Sequence, residues 1–238
     1  KVVAHQQDSV DTERLVRAGA AGFLHGRFED EISEALSNSL AESNVFVIPN
    51  LGLSLLRHLS IAEDPLLRET LPAVTLSRLG TRDFAKDGNS IPVSNLNDRV
   101  RGELDQLTSN LDSSIRSNFL HAIERGVPIV LGTDAGALPD HFFGYTGHKE
   151  LEIFVALGMS PEQAIGAATY VAASQLGLTD RGKLERGRRA DFLLLNSNPL
   201  NNIRATQDIY AVFLLGEELD RKLISEQLTQ DRNPGDVY

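Results

Sequence analysis

Short apolar runs alternate with amphipathic helical patterns along the amino-terminal part of the sequence. The apolar runs cover residues 2–4, 21–24 and 45–48, and the helical patterns between them cover residues 11–19 and 29–42. A strand–helix–strand–helix–strand order with short connections is typical of a parallel sheet with crossover helices. We therefore predict an α/β fold.

Alternating strand and helix patterns continue to residue 176, and a pattern of strands and turns follows from Gly182. A fourth strand is predicted at residues 127–131, and a polar, turn-rich loop at residues 81–92. Further helices are predicted at residues 97–125, 147–157 and 160–176. From Gly182 onward, apolar runs separated by turn residues predict a small β element. Its strands are expected at residues 191–195, 209–215 and 219–223.

The charge and the residues that are missing restrict the class of partner. The formal net charge of the chain is −10, and nucleic-acid binding instead requires clustered Lys and Arg. There is no cysteine, so no disulfide forms, and a transition-metal site would have to use His and carboxylate ligands. No apolar run approaches the length of a membrane span. We expect no nucleic-acid or membrane partner and a cytoplasmic, reducing location.

Three of the four predicted strands end in a side chain that can bind a metal. His5 ends VVAH, His25 ends FLH, and Asp134 follows IVLGT. The carboxyl ends of parallel strands face a common crevice, so these residues are expected to lie close together. Imidazole nitrogens and carboxylate oxygens are ligands of Zn²⁺ and similar ions. A carboxylate beside such an ion can accept a proton from water, so the sequence predicts a metal-dependent hydrolytic site.

Simpler interpretations of the same residues remain open at this point. A single histidine at a strand end is more often hydrogen-bonded or solvated than bound to metal. Asp134 in GTDAG can serve only as an Asx-turn residue. The same loop can also be interpreted as a phosphate-binding turn, although the charge of Asp134 argues against an anion there. His58 and His121 are interpreted as structural, and His141 and His148 either as surface loop histidines or as residues that line the pocket.

Several ordered segments of the sequence resemble the C-terminal half of a metal-dependent amidohydrolase. The resemblance is to the imidazolonepropionase-like branch, which also contains prolidase-like dipeptidases. VVAH and FLHG resemble the ends of barrel strands five and six, and IVLGTDAG resembles strand eight with its Asp. GHKELEIFVALGMSPEQAIGAATYVAASQLGL resembles the helical stretch after that Asp. GKLERGRRADFLLLNSNPLNNI and IYAVFLLGEELDR resemble the closing strands of a β-sandwich.

This resemblance implies a fold, a reaction and residue roles. The fold would be the second half of a TIM-like (β/α)8 barrel over residues 1–181, followed by part of a β-sandwich over residues 182–238. His5 and His25 would be metal ligands. Asp134 would bind the metal or its water, act as general base and then protonate the leaving nitrogen. Tyr145 and His148 are candidates for substrate contact through their position in the following loop. The substrate would be a small cyclic amide or dipeptide-like molecule.

The sequence also departs from the family pattern. The family uses a His-x-His pair on strand one, and members with two metals use a Lys on strand four; the corresponding strands would precede Lys1.

The cofactor is expected to be Zn²⁺, or Mn²⁺ or Fe²⁺, with one or two ions in a complete site. We expect a homo-oligomer or a missing N-terminal half as partner, because half a barrel leaves sheet edges open. The alternative is a non-catalytic remnant that self-associates and lacks a complete metal site.

Overall fold

The computed structural model of the chain describes residues 1–5, 8–25, 31–55, 65–73, 75–76, 113–136 and 141–229. The predicted loop at residues 81–92 lies outside the described residues, as do the part of the predicted 97–125 helix before residue 113 and His58. Within the described ranges, no helix is long and apolar enough to cross a membrane.

The amino-terminal part of the chain forms a three-stranded parallel sheet. The strands are β1 (Val3–His5), β2 (Gly22–Leu24) and β3 (Phe46–Ile48), and they lie side by side in that order. Helix α1 (Ser9–Arg17) connects β1 to β2, and α2 (Glu34–Glu42) connects β2 to β3. The predicted parallel arrangement is therefore confirmed for this part of the chain.

The predicted fourth strand runs beside β3 and pairs with it at a single parallel bridge. Ile129 bridges Val47, and the hydrogen bonds run from Val47 N–H to the Pro128 carbonyl and from Val130 N–H to the Val47 carbonyl. Proline has no N–H to extend this ladder. The segment nevertheless carries Gly132 and the residues after it to the edge where β1–β3 end.

Helices pack on the sheet and enclose one main apolar core. Helix α3 (Gly52–Leu55) and helix α4 (Pro65–Thr70) are short, and a helix at residues 113–124 follows, here called α5. Phe23 of β2, Phe119 of α5 and Phe154 all belong to the core. Phe23 and Phe154 are fully buried. Burying one such side chain stabilises the fold by about 1.5–3 kcal/mol.

The helix predicted at residues 160–176 is in fact two helices. Helix α6 (Tyr145–Ala156) precedes α7 (Pro161–Ala168) and α8 (Tyr170–Leu176). A capping box between Ser160 and Gln163 starts α7, as the sequence indicates. Thr169 interrupts the helical backbone with φ −126° and ψ −95°. The prediction of one continuous helix was wrong because pattern alone does not register this break.

The C-terminal part forms an antiparallel sheet. Its strands are β4 (Phe192–Leu195), β5 (Ile209–Leu214) and β6 (Glu217–Glu218), in that order. The strand predicted at residues 219–223 was wrong, because helix α9 (Arg221–Thr229) begins there. The Asp220 side chain accepts from the Leu223 N–H at 2.9 Å, which is the hydrogen bond of a helix N-cap.

The C-terminal sheet is joined to the rest of the molecule through the 3-10 helix Ile203–Gln207. Ile203 belongs to the same core as the parallel sheet and α6. The carboxylate of Glu152 on α6 accepts from Arg204 at 2.9 Å and from Gln207 at 2.6 Å. These contacts attach the C-terminal part to the helix that follows the loop of Asp134.

Candidate active site

The parallel sheet brings His5 and His25 together. In the β1–β2 register His5 pairs with Leu24, so His25 lies one residue beyond His5 at the same sheet edge. The two ring centroids are 4.6 Å apart, with planes tilted by 58°. His5 is exposed and His25 is partly buried. The expected proximity of these two strand ends is present.

Asp134 lies against His25. The distance from His25 Nε2 to Asp134 Oδ2 is 3.8 Å, and the side chains are 16% and 42% exposed. This distance is too long for a direct hydrogen bond. Two ligands of one ion with metal–ligand bonds of about 2.1 Å lie roughly 3–4 Å apart. The distance between His25 Nε2 and Asp134 Oδ2 therefore suits two ligands of the same divalent ion.

The turn at the end of the fourth segment is made without the Asp134 carboxylate. The Thr133 hydroxyl accepts from the Ala135 N–H at 3.2 Å. The Asp134 carboxylate is directed toward His25 instead. This arrangement disfavours the interpretation of Asp134 as only an Asx-turn residue.

Three residues at neighbouring strand ends have a left-handed backbone. The φ angles are 59° for His25, 49° for Asn50 and 53° for Asp134. Such a conformation costs a residue other than glycine about 1–3 kcal/mol, and residues of this kind cluster at functional sites. Asn and Asp bear that cost more easily than His does. The clustering of all three at one sheet edge marks this edge as the candidate active site.

Gly132 allows the Asp134 segment to approach β3 closely. A Cβ atom at Gly132 would lie 2.4 Å from Cγ2 of Ile48, well inside van der Waals contact. Only glycine fits against Ile48 in this position. Part of the glycine-rich character of GTDAG is thus explained by strand packing beside Asp134.

Asn50 is a site residue that the pattern of strand ends did not indicate. Its Oδ1 accepts from the backbone N–H of His25 at 3.2 Å, and it is 3% exposed. It follows β3 as His25 follows β2, and the signal was the Pro49-Asn50 pair after the third apolar run. The residue type gave no metal signal, because an amide is not among the usual Zn²⁺ ligands.

Glu150 is a second residue that the sequence did not single out. Its carboxylate accepts from the backbone N–H groups of Leu51 at 2.6 Å and Gly52 at 2.7 Å. Glu150 is fully buried on α6. A helical glutamate in a charged stretch carries no sequence signal for such a contact.

Tyr145 and His148 lie in a cleft between α4, α6 and α9. The cleft has a volume of about 200 Å³, and its lining includes neither His5, His25 nor Asp134. Tyr145 is buried against Leu67, and His148 Nδ1 lies 3.1 Å from the Thr206 hydroxyl. That hydroxyl also lies 2.9 Å from the Ile203 carbonyl. These contacts hold Tyr145 and His148 at a cleft whose lining does not include His25 or Asp134.

The donor set at the sheet edge suits a divalent metal but forms only part of a site. Two imidazoles and one carboxylate are ligands typical of Zn²⁺. Within the described ranges, however, no group of three or more His, Cys, Asp or Glu side chains is arranged to hold a metal ion. The sequence contains no His-x-His pair that would add two further ligands.

The sequence is similar to several known proteins. The sequence model of the amidohydrolase family matches residues 13–219. An imidazolonepropionase of Deinococcus radiodurans is 34% identical over 100 residues, which cover 41% of this chain and 25% of that protein. An adenine deaminase of Lactobacillus delbrueckii subsp. bulgaricus is 35% identical over 102 residues, covering 42% of this chain and 18% of that protein.

A solved structure shows the same fold. A Xaa-Pro dipeptidase crystallised with methionine in its active site superposes with a TM-score of 0.64 at 23% identity, covering 92% of this chain and 44% of that chain. The matched region thus spans less than half the length of each of these proteins. The family match covers most of the sequence, and the fold similarity covers nearly all of it. The chain belongs to the amidohydrolase family, with its similarities on the imidazolonepropionase- and prolidase-like branch.

Proposed function

We propose that this chain supplies part of the active site of a metal-dependent hydrolase that cleaves C–N bonds. The observation that carries the proposal is the His25–Asp134 pair, 3.8 Å apart, with His5 beside it at the edge where the parallel strands end. Relatives named imidazolonepropionase, adenine deaminase and Xaa-Pro dipeptidase support a C–N bond as the reacting group.

Each residue at the sheet edge has a role in this proposal. His5 and His25 would hold the metal, which is Zn²⁺, Mn²⁺ or Fe²⁺, with one or two ions in a complete site. A bound divalent metal lowers the pKa of water toward neutrality and polarises a carbonyl group. Asp134 would accept the proton of the attacking water and then return it to the leaving nitrogen. Its exposed carboxylate is accessible to both reactants.

In this proposal the two sheets belong to larger structures, a barrel and a sandwich. The parallel sheet would be the second half of a (β/α)8 barrel within residues 1–181, and the antiparallel sheet would be part of a β-sandwich within residues 182–238. Two features support this. Val2 is 67% exposed and Val3 37% exposed at the β1 edge. Leu193 and Tyr210 are 46% and 69% exposed on the antiparallel sheet. Apolar surfaces of this kind favour burial against an N-terminal half or another subunit.

The substrate would be a small cyclic amide or a dipeptide-like molecule. Tyr145 and His148 remain predicted contacts, on the side of α6 that faces the 200 Å³ cleft. That volume is below the range of about 300–1,000 Å³ for ligand pockets. A substrate that reacts at Asp134 can therefore contact Tyr145 and His148 only if the cleft continues toward Asp134.

A non-catalytic remnant is the second candidate. The 3.8 Å between His25 Nε2 and Asp134 Oδ2 is also compatible with this candidate, because it is too long for a direct hydrogen bond and needs no bound ion. In that case the chain would keep the fold, self-associate and lack a complete metal site, and His25 and Asp134 would interact only weakly.

The test is hydrolysis by the full-length protein of a cyclic amide and of Xaa-Pro dipeptides. Each assay is run after chelation and after return of Zn²⁺, Mn²⁺ or Fe²⁺. We expect activity that disappears with the chelator, returns with metal and is lost in His25→Ala. His121→Ala is the matched control, since His121 lies on α5 away from the strand ends. Metal-independent activity, or equal loss in both variants, would contradict the proposal.

A further inference from the structure

The buried Glu150 carboxylate fixes the backbone that follows β3. Both carboxylate oxygens are used, one on the N–H of Leu51 and one on the N–H of Gly52. Hydrogen bonds from backbone N–H groups to an ionised carboxylate are short and stronger than neutral ones. Because Leu51 directly follows Asn50, these two bonds hold Asn50 at the end of β3.

Asn50 in turn connects two strand ends of the candidate active site. The N–H of His25 can only donate, so the Asn50 atom that faces it is the oxygen and the amide nitrogen points away. That nitrogen lies over Gly132, 3.6 Å from the position that a Cβ atom would occupy there. Asn50 therefore sits between His25 and the segment that carries Asp134.

We propose that Asn50 is a positioning residue for His25 and that Glu150 holds Asn50 in place. This inference rests on the proposed function, in which His25 is a metal ligand. The His25 backbone has an unfavourable φ of 59°, which the surrounding structure must stabilise. The Asn50 side chain does so by accepting the His25 N–H. Glu150 acts from α6, the helix that begins after the Asp134 loop.

Asn44 provides an internal comparison for this role. It lies at the opposite end of β3, and its φ of 51° is nearly that of Asn50. Its Oδ1 accepts from Gln175 Nε2 at 3.1 Å. Gln175 is on α8 and is not one of the residues of the candidate site. Glycine adopts this backbone conformation without strain. Asn→Gly at either position thus removes the side-chain hydrogen bond and keeps the turn.

The experiment compares Asn50→Gly with Asn44→Gly in the full-length protein. The first readout is amide hydrogen exchange at His25, measured by NMR on the metal-free protein. We expect Asn50→Gly to speed this exchange roughly fivefold or more, and Asn44→Gly to change it less than about twofold. The second readout is the Zn²⁺ dissociation constant from competition with a chromophoric chelator. We expect it to rise about 10–100-fold in Asn50→Gly only.

Glu150→Gln tests the other half of the proposal. The amide keeps the shape of the side chain and one acceptor oxygen, so it avoids the cavity that Ala would leave. We expect faster exchange at Leu51 or Gly52 and also at His25. Faster exchange at Leu51 or Gly52 with His25 unchanged would overturn the role of Glu150.

The outcomes separate this inference from the proposed function. Equal effects of the two Asn→Gly variants on the His25 amide, or no effect of Asn50→Gly, would overturn the role of Asn50. If wild type binds no Zn²⁺, the proposed metal site fails, while the exchange rate of the His25 amide still decides the positioning role.

Discussion

His25 Nε2 and Asp134 Oδ2 lie 3.8 Å apart, although the two residues belong to segments on either side of β3. The pair is close because the carboxyl ends of parallel strands share one sheet edge. Both residues have a left-handed backbone. A separation suited to two ligands of one ion makes this pair the centre of the proposed site.

Asp134→Asn is expected to abolish catalysis and leave the fold intact. The amide has nearly the same shape, and asparagine tolerates the φ of 53°. It cannot accept the proton, so kcat should fall by at least about 100-fold. Steady-state kinetics and thermal unfolding check this. Full activity in the variant would remove Asp134 from its proposed role.

Gly132→Ala is expected to destabilise the protein by about 1–3 kcal/mol, because the new methyl would overlap Cγ2 of Ile48. Ile48→Ala removes that methyl and should be destabilising by itself. The double variant should lose less stability than the sum of the two single losses. Urea unfolding of the three variants measures this coupling, and additive losses would show that the two positions do not meet.

Glu152→Gln should weaken the attachment of the C-terminal part to α6. The carboxylate accepts from Arg204 and Gln207 of the C-terminal part and also from Lys149 within α6, and its side chain is 17% exposed. Because Arg204 is 74% exposed, we expect a loss of only about 1 kcal/mol in the free energy of unfolding. Glu124→Gln, an exposed carboxylate on α5, is the control and should have little effect. Similar losses in both variants would contradict a specific role for Glu152.

Acid should selectively weaken the contact between Asp191, which precedes β4, and the turn between β5 and β6. The N–H of Leu215, which donates to this carboxylate, and the guanidinium of Arg189 hold the pKa of Asp191 below its usual value. A lowered pKa in the folded state stabilises the protein above the unfolded pKa of about 4, and this stabilisation is lost as pH falls through the folded pKa.

Asp191→Asn should therefore lower the unfolding temperature at neutral pH, and its difference from wild type should shrink below about pH 4. Calorimetry across pH measures this. Glu217→Gln, on β6 next to that turn, controls for the change in charge. A difference that stays constant with pH would argue against the ionised carboxylate as the cause.

The sequence predicted the parallel order of the strands and three residues of the candidate site because both depend on local pattern. Apolar runs that end in His5, His25 and Asp134 are visible without a structure. The contact between them follows from the geometry of any parallel sheet. The residues at strand ends are therefore the part of the candidate site that the hydrophobic pattern predicts best.

The supporting residues could not be predicted in the same way. Glu150 contacts Leu51 across the fold, and Asn50 acts through its side-chain oxygen on a backbone group. Neither contact has a fixed spacing in sequence. The break at Thr169 and the start of α9 after Asp220 likewise depend on local hydrogen bonds that periodicity does not register. The orientation of His148 toward Thr206 required the docked position of the C-terminal part.

The most direct test of the proposed site is metal content per chain, measured by elemental mass spectrometry on full-length protein purified without chelator or added metal. We predict at least about one equivalent of Zn²⁺, Mn²⁺ or Fe²⁺ in wild type and in His121→Ala, and loss of that metal in His25→Ala and Asp134→Ala. Wild type without metal, or metal retained in both site variants, would contradict the assignment of His25 and Asp134 as ligands.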